Sequence, residues 1–122
     1  MINLRWRSGR GLTARIVERP GVALPAEALA ELVADLRAVA ALTLGESDLA
    51  YGVLGGDVER LRNCVVTVVY QKAAGAERGR PVAFNILSLL DVELAGRPTR
   101  VMHLGLVMVD PALRGRGLSS TL

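Results

Sequence analysis

Two spacings of apolar residues divide the first part of the chain into predicted elements. Residues 11–18 alternate apolar and polar positions and include β-branched side chains, which predicts a strand. Residues 25–44 have apolar side chains every three or four positions, which predicts an amphipathic helix that Gly45 ends. The stripe that this helix should bury consists of Leu29, Leu32, Val33, Leu36, Val39 and Ala40.

The same helix carries acidic residues on a second line of positions. Glu27, Glu31 and Asp35 are four residues apart, so they share one side of the helix. Charged residues opposite a buried stripe are typically solvated, and we therefore expect these three to form an outer face.

The middle of the chain combines an irregular stretch with a strongly apolar one. Residues 46–63 contain several turn signals, and Asp57 is placed to cap a short helix over residues 57–62. The segment Cys64–Gln71 is almost continuously apolar, which predicts a strand buried on both faces. Residues 73–80 hold two glycines and several charges, and we expect an exposed connection there.

Two further strands are predicted over residues 81–94 and 99–109. The short turn between them, residues 95–98, makes them an antiparallel hairpin. The element order is strand, helix, short helix and three consecutive strands, followed by a glycine-rich loop and the start of a third helix. This order predicts a single α/β (α+β) domain over residues 1–122, with a mainly antiparallel sheet flanked by helices.

Composition narrows the range of functions. The net charge is +3, and arginines crowd the first nineteen residues, but the few aromatic residues are not interleaved with them, so nucleic-acid binding is not favoured. The N-terminus lacks the apolar segment of a signal peptide and no stretch is long enough to span a membrane, so we expect a cytoplasmic protein. The single cysteine, Cys64, is interpreted as a buried apolar residue, and no metal-ligand spacing occurs.

The chemistry concentrates near the C-terminal end of the sequence. An apolar strand runs into Asp110-Pro111, and the loop Arg114-Gly115-Arg116-Gly117 and a helix start follow. Glycines allow close approach of the backbone to an anion, and a helix start offers unpaired N–H groups. We therefore interpret residues 114–120 as a phosphate-binding loop.

This stretch resembles the acetyl-CoA-binding motif of the GNAT acyltransferase superfamily, Gln/Arg-x-x-Gly-x-Gly/Ala. Arg114 and Gly117 match its first two positions, whereas Ser119 replaces the small residue of the third. The resemblance implies a GNAT-like fold and transfer of an acetyl group from acetyl-CoA to an amine, with no metal and with an unknown acceptor. The residues that it assigns to the cofactor are Val107, Val109, Arg114, Gly115, Arg116, Gly117, Leu118, Ser119 and Ser120.

Three residues are candidates for the general base. Alternation along a regular strand would put His103, the only histidine, on the face of Gly105, Val107 and Val109, where it could accept a proton from an amine. Its alternative role is structural. In the GNAT family a carboxylate on or near this strand commonly acts as the base, so Asp91 and Glu93 are rivals.

The sequence ends at the start of the predicted third helix. In the GNAT family the chain continues past the third helix, so we expect the N-terminal part of a longer protein, a truncated relative, or a fold completed by a second chain. The edge of the last strand could pair with another copy to form a homo-oligomer. A non-catalytic GNAT-like module that binds acyl-CoA or a partner chain is the alternative to an enzyme.

Overall fold

A computed structural model describes residues 2–8, 11–45, 48–50, 52–72 and 79–113. These residues form a mixed α/β fold built on one five-stranded antiparallel sheet with the strand order β1-β2-β3-β4-β5. The strands are β1 (Asn3–Ser8), β2 (Leu12–Glu18), β3 (Cys64–Gln71), β4 (Arg80–Leu94) and β5 (Arg97–Val109). The helices are α1 (Pro20–Ala23), α2 (Ala26–Ala40) and α3 (Val58–Arg62), with 3₁₀ turns at Asp48–Ala50, Gly52–Gly55 and Pro111–Leu113. Within the described ranges, no helix is long and apolar enough to cross a membrane.

Helix α2 confirms the predicted apolar stripe but is shorter than expected. Leu32, Leu36, Val39 and Ala40 are buried, and Pro25 stands at the N-cap. The helix ends at Ala40, so the prediction that it extends to Leu44 is wrong. Beyond Ala40 the N–H groups of Leu42 and Thr43 bond to carbonyls three residues back, which tightens the last turn. No buried stripe residue lies beyond Ala40 to hold a further turn against the sheet.

Strand β1 was not predicted from the sequence, where the arginine-rich N-terminus was considered only for its charge and for a signal peptide. The apolar residues Leu4 and Trp6 alternate with Arg5 and Arg7, and this alternation is the signal that was passed over. The strand pairs along its whole length with β2, where Leu4 lies opposite Ile16.

The other predicted strands and the short helix over residues 57–62 are confirmed with small shifts, whereas residues 73–78 of the predicted connection and the predicted third helix lie outside the described residues. Strand β3 has the predicted bounds, and the Arg60 N–H donates to Asp57 Oδ1 at 3.3 Å, which makes Asp57 the expected cap of α3. The β4–β5 hairpin turns on two residues, Ala95 and Gly96, both with positive φ (51° and 75°). The predicted turn over residues 95–98 is therefore too long, because left-handed residues at both positions close a two-residue turn.

The sheet has two faces with different cores. The first face, which packs against α2, carries Val66, Val68, Phe84 and Ile86 in one cluster with the buried residues of that helix. The second face carries a smaller cluster of Ala14, Val69, Val82, Ala83 and Leu113. Strand β3 contributes to both, as its apolar sequence predicted.

Candidate functional site

The outer edge of β5 presents backbone groups that β4 does not use. The Asp110 N–H donates to the Val82 carbonyl at 2.7 Å, and Val109 lies opposite Ala83. Because inward and outward groups alternate along an antiparallel ladder, the N–H and C=O groups of Val107 and Val109 point away from β4. In the described part of the chain, β5 pairs only with β4, so these groups face an unoccupied edge.

A bulge at Gly105 interrupts the pairing of β5 with β4. Leu106 lies opposite Ile86 and Leu104 lies opposite Leu87, so Gly105 is an extra residue without its own partner. A Cβ at this position would stand 3.2 Å from the Ile86 carbonyl oxygen, so a larger residue would require a small shift of that strand. A bulge bends the strand and reverses the alternation of side chains beyond it.

This reversal corrects the predicted position of His103. His103 lies opposite Ser88, which shares the first face with Ile86 and Phe84. Val107 and Val109 lie opposite Asn85 and Ala83 on the second face. The expectation that His103 shares a face with Val107 and Val109 is therefore wrong, because the bulge at Gly105 shifts the alternation by one residue.

The two rival carboxylates lie further toward the hairpin tip. Asp91 and Glu93 are exposed. By the alternation of side chains along β4, both lie on the second face, whereas His103 lies on the first. The Arg100 Nε donates to Asp91 Oδ1 at 3.0 Å, and this hydrogen bond and the guanidinium charge lower the pKa of Asp91. A lowered pKa makes a carboxylate a weaker base. The three candidates are thus not brought together, and a catalytic role for each stays a prediction.

A buried carboxylate fixes the point where the chain leaves β5. Asp110 is 6% exposed; its Oδ2 accepts from Arg80 Nη1 at 2.7 Å and its Oδ1 accepts from the Ala112 N–H at 2.9 Å. The Arg80 hydrogen bond, followed by the Ala112 N–H, lowers the pKa of Asp110. The Pro111–Leu113 turn is thereby held to the start of β4, and Leu113 is buried. Asp110 therefore fixes the backbone as far as Leu113, the last described residue before the predicted loop.

The predicted phosphate-binding loop itself lies outside the described residues. This applies to Arg114, Gly115, Arg116, Gly117, Leu118, Ser119 and Ser120. Their assignment to the cofactor stays a prediction from the motif, whereas Val107 and Val109 can be placed.

Asn85 is a polar residue near the edge that the sequence analysis missed. It lies on the second face between Thr67 and Val107, and its buried Oδ1 accepts no hydrogen bond from the described residues. Buried polar atoms in native proteins are nearly always paired, so an unpaired one needs an explanation. The sequence signal was available, since Asn85 is the one amide in an otherwise apolar run from residue 81 to residue 87.

Among the described residues, the cysteine is not placed as a catalytic thiol, and the acidic residues form no metal site. Cys64 is buried as predicted, and burial raises the pKa of its thiol to about 11, so it carries no thiolate at neutral pH. Within the described ranges, no three His, Cys, Asp or Glu side chains are grouped as metal ligands would be.

Comparisons of the chain with protein-family models, with curated proteins and with solved structures found no match. Function is therefore inferred from the sequence motif and from the geometry of β5.

Proposed function

We propose that this chain takes part in acyl-CoA-dependent N-acyl transfer of the GNAT type, in which an acetyl group passes from acetyl-CoA to an amine. The observation that carries the proposal is the outward orientation of the backbone at Val107 and Val109, just before the phosphate-binding motif. An extended ligand with amide groups can pair with such an edge as an added strand would. The pantetheine arm of CoA has two amides and is a ligand of this kind.

The overall arrangement of the sheet and α2 also supports the proposal, but it is less specific than the edge of β5. A mainly antiparallel sheet with α2 on one face agrees with the GNAT-like architecture that the motif implies. Gly105 bends β5 four residues before Val109, so the edge diverges from a regular ladder near the backbone groups that would hold the ligand. Asn85, beside Val107 on the second face, adds an amide oxygen that has no hydrogen-bond partner among the described residues.

The chemistry divides between the loop and the strand. Arg114 and Arg116, with the N–H groups of residues 115–120, would hold the pyrophosphate of CoA. Acetyl-CoA supplies an activated thioester carbonyl. The acceptor amine gives up a proton to a base and bonds to that carbonyl carbon, and the carbon–sulfur bond breaks to leave CoA as a thiol. His103, Asp91 and Glu93 are the candidate bases within the chain.

The second candidate function is a non-catalytic module that binds acyl-CoA. The observation that favours it is the separation of the candidate bases: His103 lies on the first face, whereas Asp91 and Glu93 lie on the second. Asp91 is also engaged by Arg100.

Titration calorimetry with acetyl-CoA tests whether the chain binds the cofactor. Gly117→Val should abolish binding, because a branched side chain would occupy the space needed by phosphate oxygens. Gly45→Val is the matched control, since a Cβ there meets no atom within 4 Å. Equal affinity in the two variants would show that the anion is not held at Gly117, and no heat with the unaltered protein would reject both CoA functions.

Release of free thiol in the presence of a panel of amines separates the enzyme from the binding module. We expect acetyl-CoA and an accepted amine to give thiol, with a slower rate in His103→Gln. Binding without thiol release for every amine would favour the module, and an unchanged rate in His103→Gln would exclude His103 as the base.

A further inference from the structure

A cavity of about 330 Å³ lies on the first face of the sheet, between strands β1–β3 and helix α2. Its volume is at the small end of the range for small-molecule sites. Its charged and polar lining includes Arg5, Arg15, Lys72, Glu31, Asp35 and Tyr70. Strand β5 lies two strand positions away from β3, the nearest wall of the cavity, which is roughly 10 Å at the usual spacing of neighbouring strands. An inference about it therefore does not depend on acyl transfer.

The sheet wall of the cavity brings two positive charges together. Arg5 on β1 lies directly opposite Arg15 on β2, and both side chains line the cavity. Like charges directly opposite each other destabilise a sheet. The Arg15 Nε donates to Asn3 Oδ1 at 3.3 Å, and among the described residues no salt bridge involves either arginine. The pair is thus placed to receive an anionic group.

The helix wall of the cavity has the opposite charge. Asp35 and Glu31 are one turn apart on α2, and both line the cavity. The Tyr70 hydroxyl, from β3, donates to Asp35 Oδ2 at 2.7 Å. Burial and this hydrogen bond raise the pKa of Tyr70, so the phenol stays neutral and fixes the carboxylate. The expectation that Asp35 lies on a solvated outer face is wrong, because β3 packs beside it.

We propose that this cavity binds a small zwitterion of the α-amino acid class. The ligand carboxylate would lie between Arg5 and Arg15, where it offsets their repulsion, and the ligand ammonium would lie toward Asp35 on the opposite wall. Hydrogen bonds between charged partners are stronger than neutral ones, and guanidinium groups suit carboxylates in particular. Asp35 and the two arginines lie on facing walls, and among the described residues Asp35 forms no salt bridge with either arginine. A ligand that carries one positive and one negative charge could therefore bind between them.

Thermal shift of the unaltered chain with each of the twenty α-amino acids, tested singly at millimolar concentration, identifies a ligand. Each amino acid that raises the melting temperature is then compared with its decarboxylated amine and with its N-acetyl derivative. The cavity should bind the zwitterion and neither derivative, because each derivative lacks one of the two charges. If no amino acid shifts the melting temperature, or if the N-acetyl derivative binds equally well, the inference is overturned.

Variants test whether the ligand is held at this cavity. Arg15→Gln and Asp35→Asn should each weaken the ligand by about tenfold or more, since each removes one charged hydrogen-bonding partner. Arg100→Gln, on the distant hairpin, is the control and should keep the affinity. Unchanged affinity in both cavity variants would overturn the proposal.

Backbone amide shifts of the unaltered chain provide a second test that needs no variant. The ligand should shift the signals of Thr13, Tyr70 and Lys72 most, because these residues lie on the sheet wall of the cavity. Shifts confined to residues outside the cavity would count against the site.

Discussion

The two faces of the sheet differ in how well the described chain completes them. The first face is packed by α2, and Arg37 of that helix also binds the loop beside it: its Nη1 donates to the carbonyls of Leu49 and Leu54 at 2.5 and 2.7 Å. The second face keeps Leu104 and Met102 more than half exposed. One row across it runs Leu4, Ile16, Thr67, Asn85 and Val107, with polar residues at its centre.

This difference separates the main apolar core from the edge that we propose to hold CoA. The first face has the continuous apolar core that stabilises a domain of this size. The second face has exposed apolar side chains, an amide oxygen without a partner in the described part of the chain, and the edge that we propose to hold CoA. Substitutions on the first face should therefore change the free energy of unfolding, whereas those on the exposed part of the second face should change it little.

The largest expected difference is between two leucines. Leu36→Ala should lower the free energy of unfolding by about 3 kcal/mol. Leu36 is fully buried on the side of α2 that packs against the sheet, and truncating its side chain leaves a cavity. Leu104→Ala should lower it by less than about 0.5 kcal/mol, since Leu104 is exposed. Urea unfolding followed by circular dichroism measures both. Similar losses would mean that the faces contribute equally.

The attachment of the loop to α2 should give the next largest effect. Arg37→Met keeps the aliphatic stem but leaves the Leu49 and Leu54 carbonyls without their donor, and should cost about 2 kcal/mol. Arg100→Met is the control, because Arg100 bonds only to an exposed carboxylate on the hairpin. Equal urea midpoints for the two variants would contradict this role of Arg37.

The carboxylate at the end of β5 should give a smaller effect that depends on pH. Asp110→Asn should cost about 1 kcal/mol at neutral pH, a modest figure because Arg80 is half exposed. The folded-state pKa of Asp110 lies below its unfolded value, so its contribution is present above the unfolded pKa of about 3.9 and disappears as the pH falls through the folded one. Urea midpoints across the acid range should therefore converge for the two proteins. A constant difference down to the lowest pH would contradict this assignment.

The smallest effect should have the opposite sign. Asn85→Leu replaces an amide whose oxygen has no described partner with an apolar group of similar size, and should stabilise the chain by up to about 1 kcal/mol. Thr67→Val, opposite Asn85 on β3, is the neighbouring control. A clear loss of stability in Asn85→Leu would show that the amide makes a native hydrogen bond.

Much of the fold could be predicted from local patterns, and the errors have local causes. Alternation predicted β2, a nearly continuous apolar run predicted β3, and helical spacing predicted the stripe of α2. Asp57 predicted the start of α3. The basic residues of β1 were given more weight than the alternation of Leu4 and Trp6. The end of α2 was misplaced because Gly45 was taken as the stop signal, although the predicted apolar stripe already ends at Ala40.

The candidate site was less predictable because it depends on register and on distant pairs. Alternation could not place His103 without the pairing of β5, although an isolated glycine within a strand is a known sign of a bulge. The hydrogen bond between Tyr70 and Asp35 joins residues 35 positions apart, and no local pattern predicts it. The motif at residues 114–120 was found from sequence alone, since glycines and arginines in that order follow an apolar strand.

The bulge at Gly105 also determines where β5 can change in length. Leu104 and Leu106 already lie opposite consecutive residues, Leu87 and Ile86, so the ladder would stay in register if Gly105 were deleted. A deletion elsewhere between residues 97 and 109 would shift the register of β5 by one residue. Every side chain from the deletion to the nearer end of β5 would then move to the opposite face of the sheet. Gly105 therefore has the properties of an inserted residue, one that the strand could gain or lose while every neighbouring side chain keeps its side of the sheet.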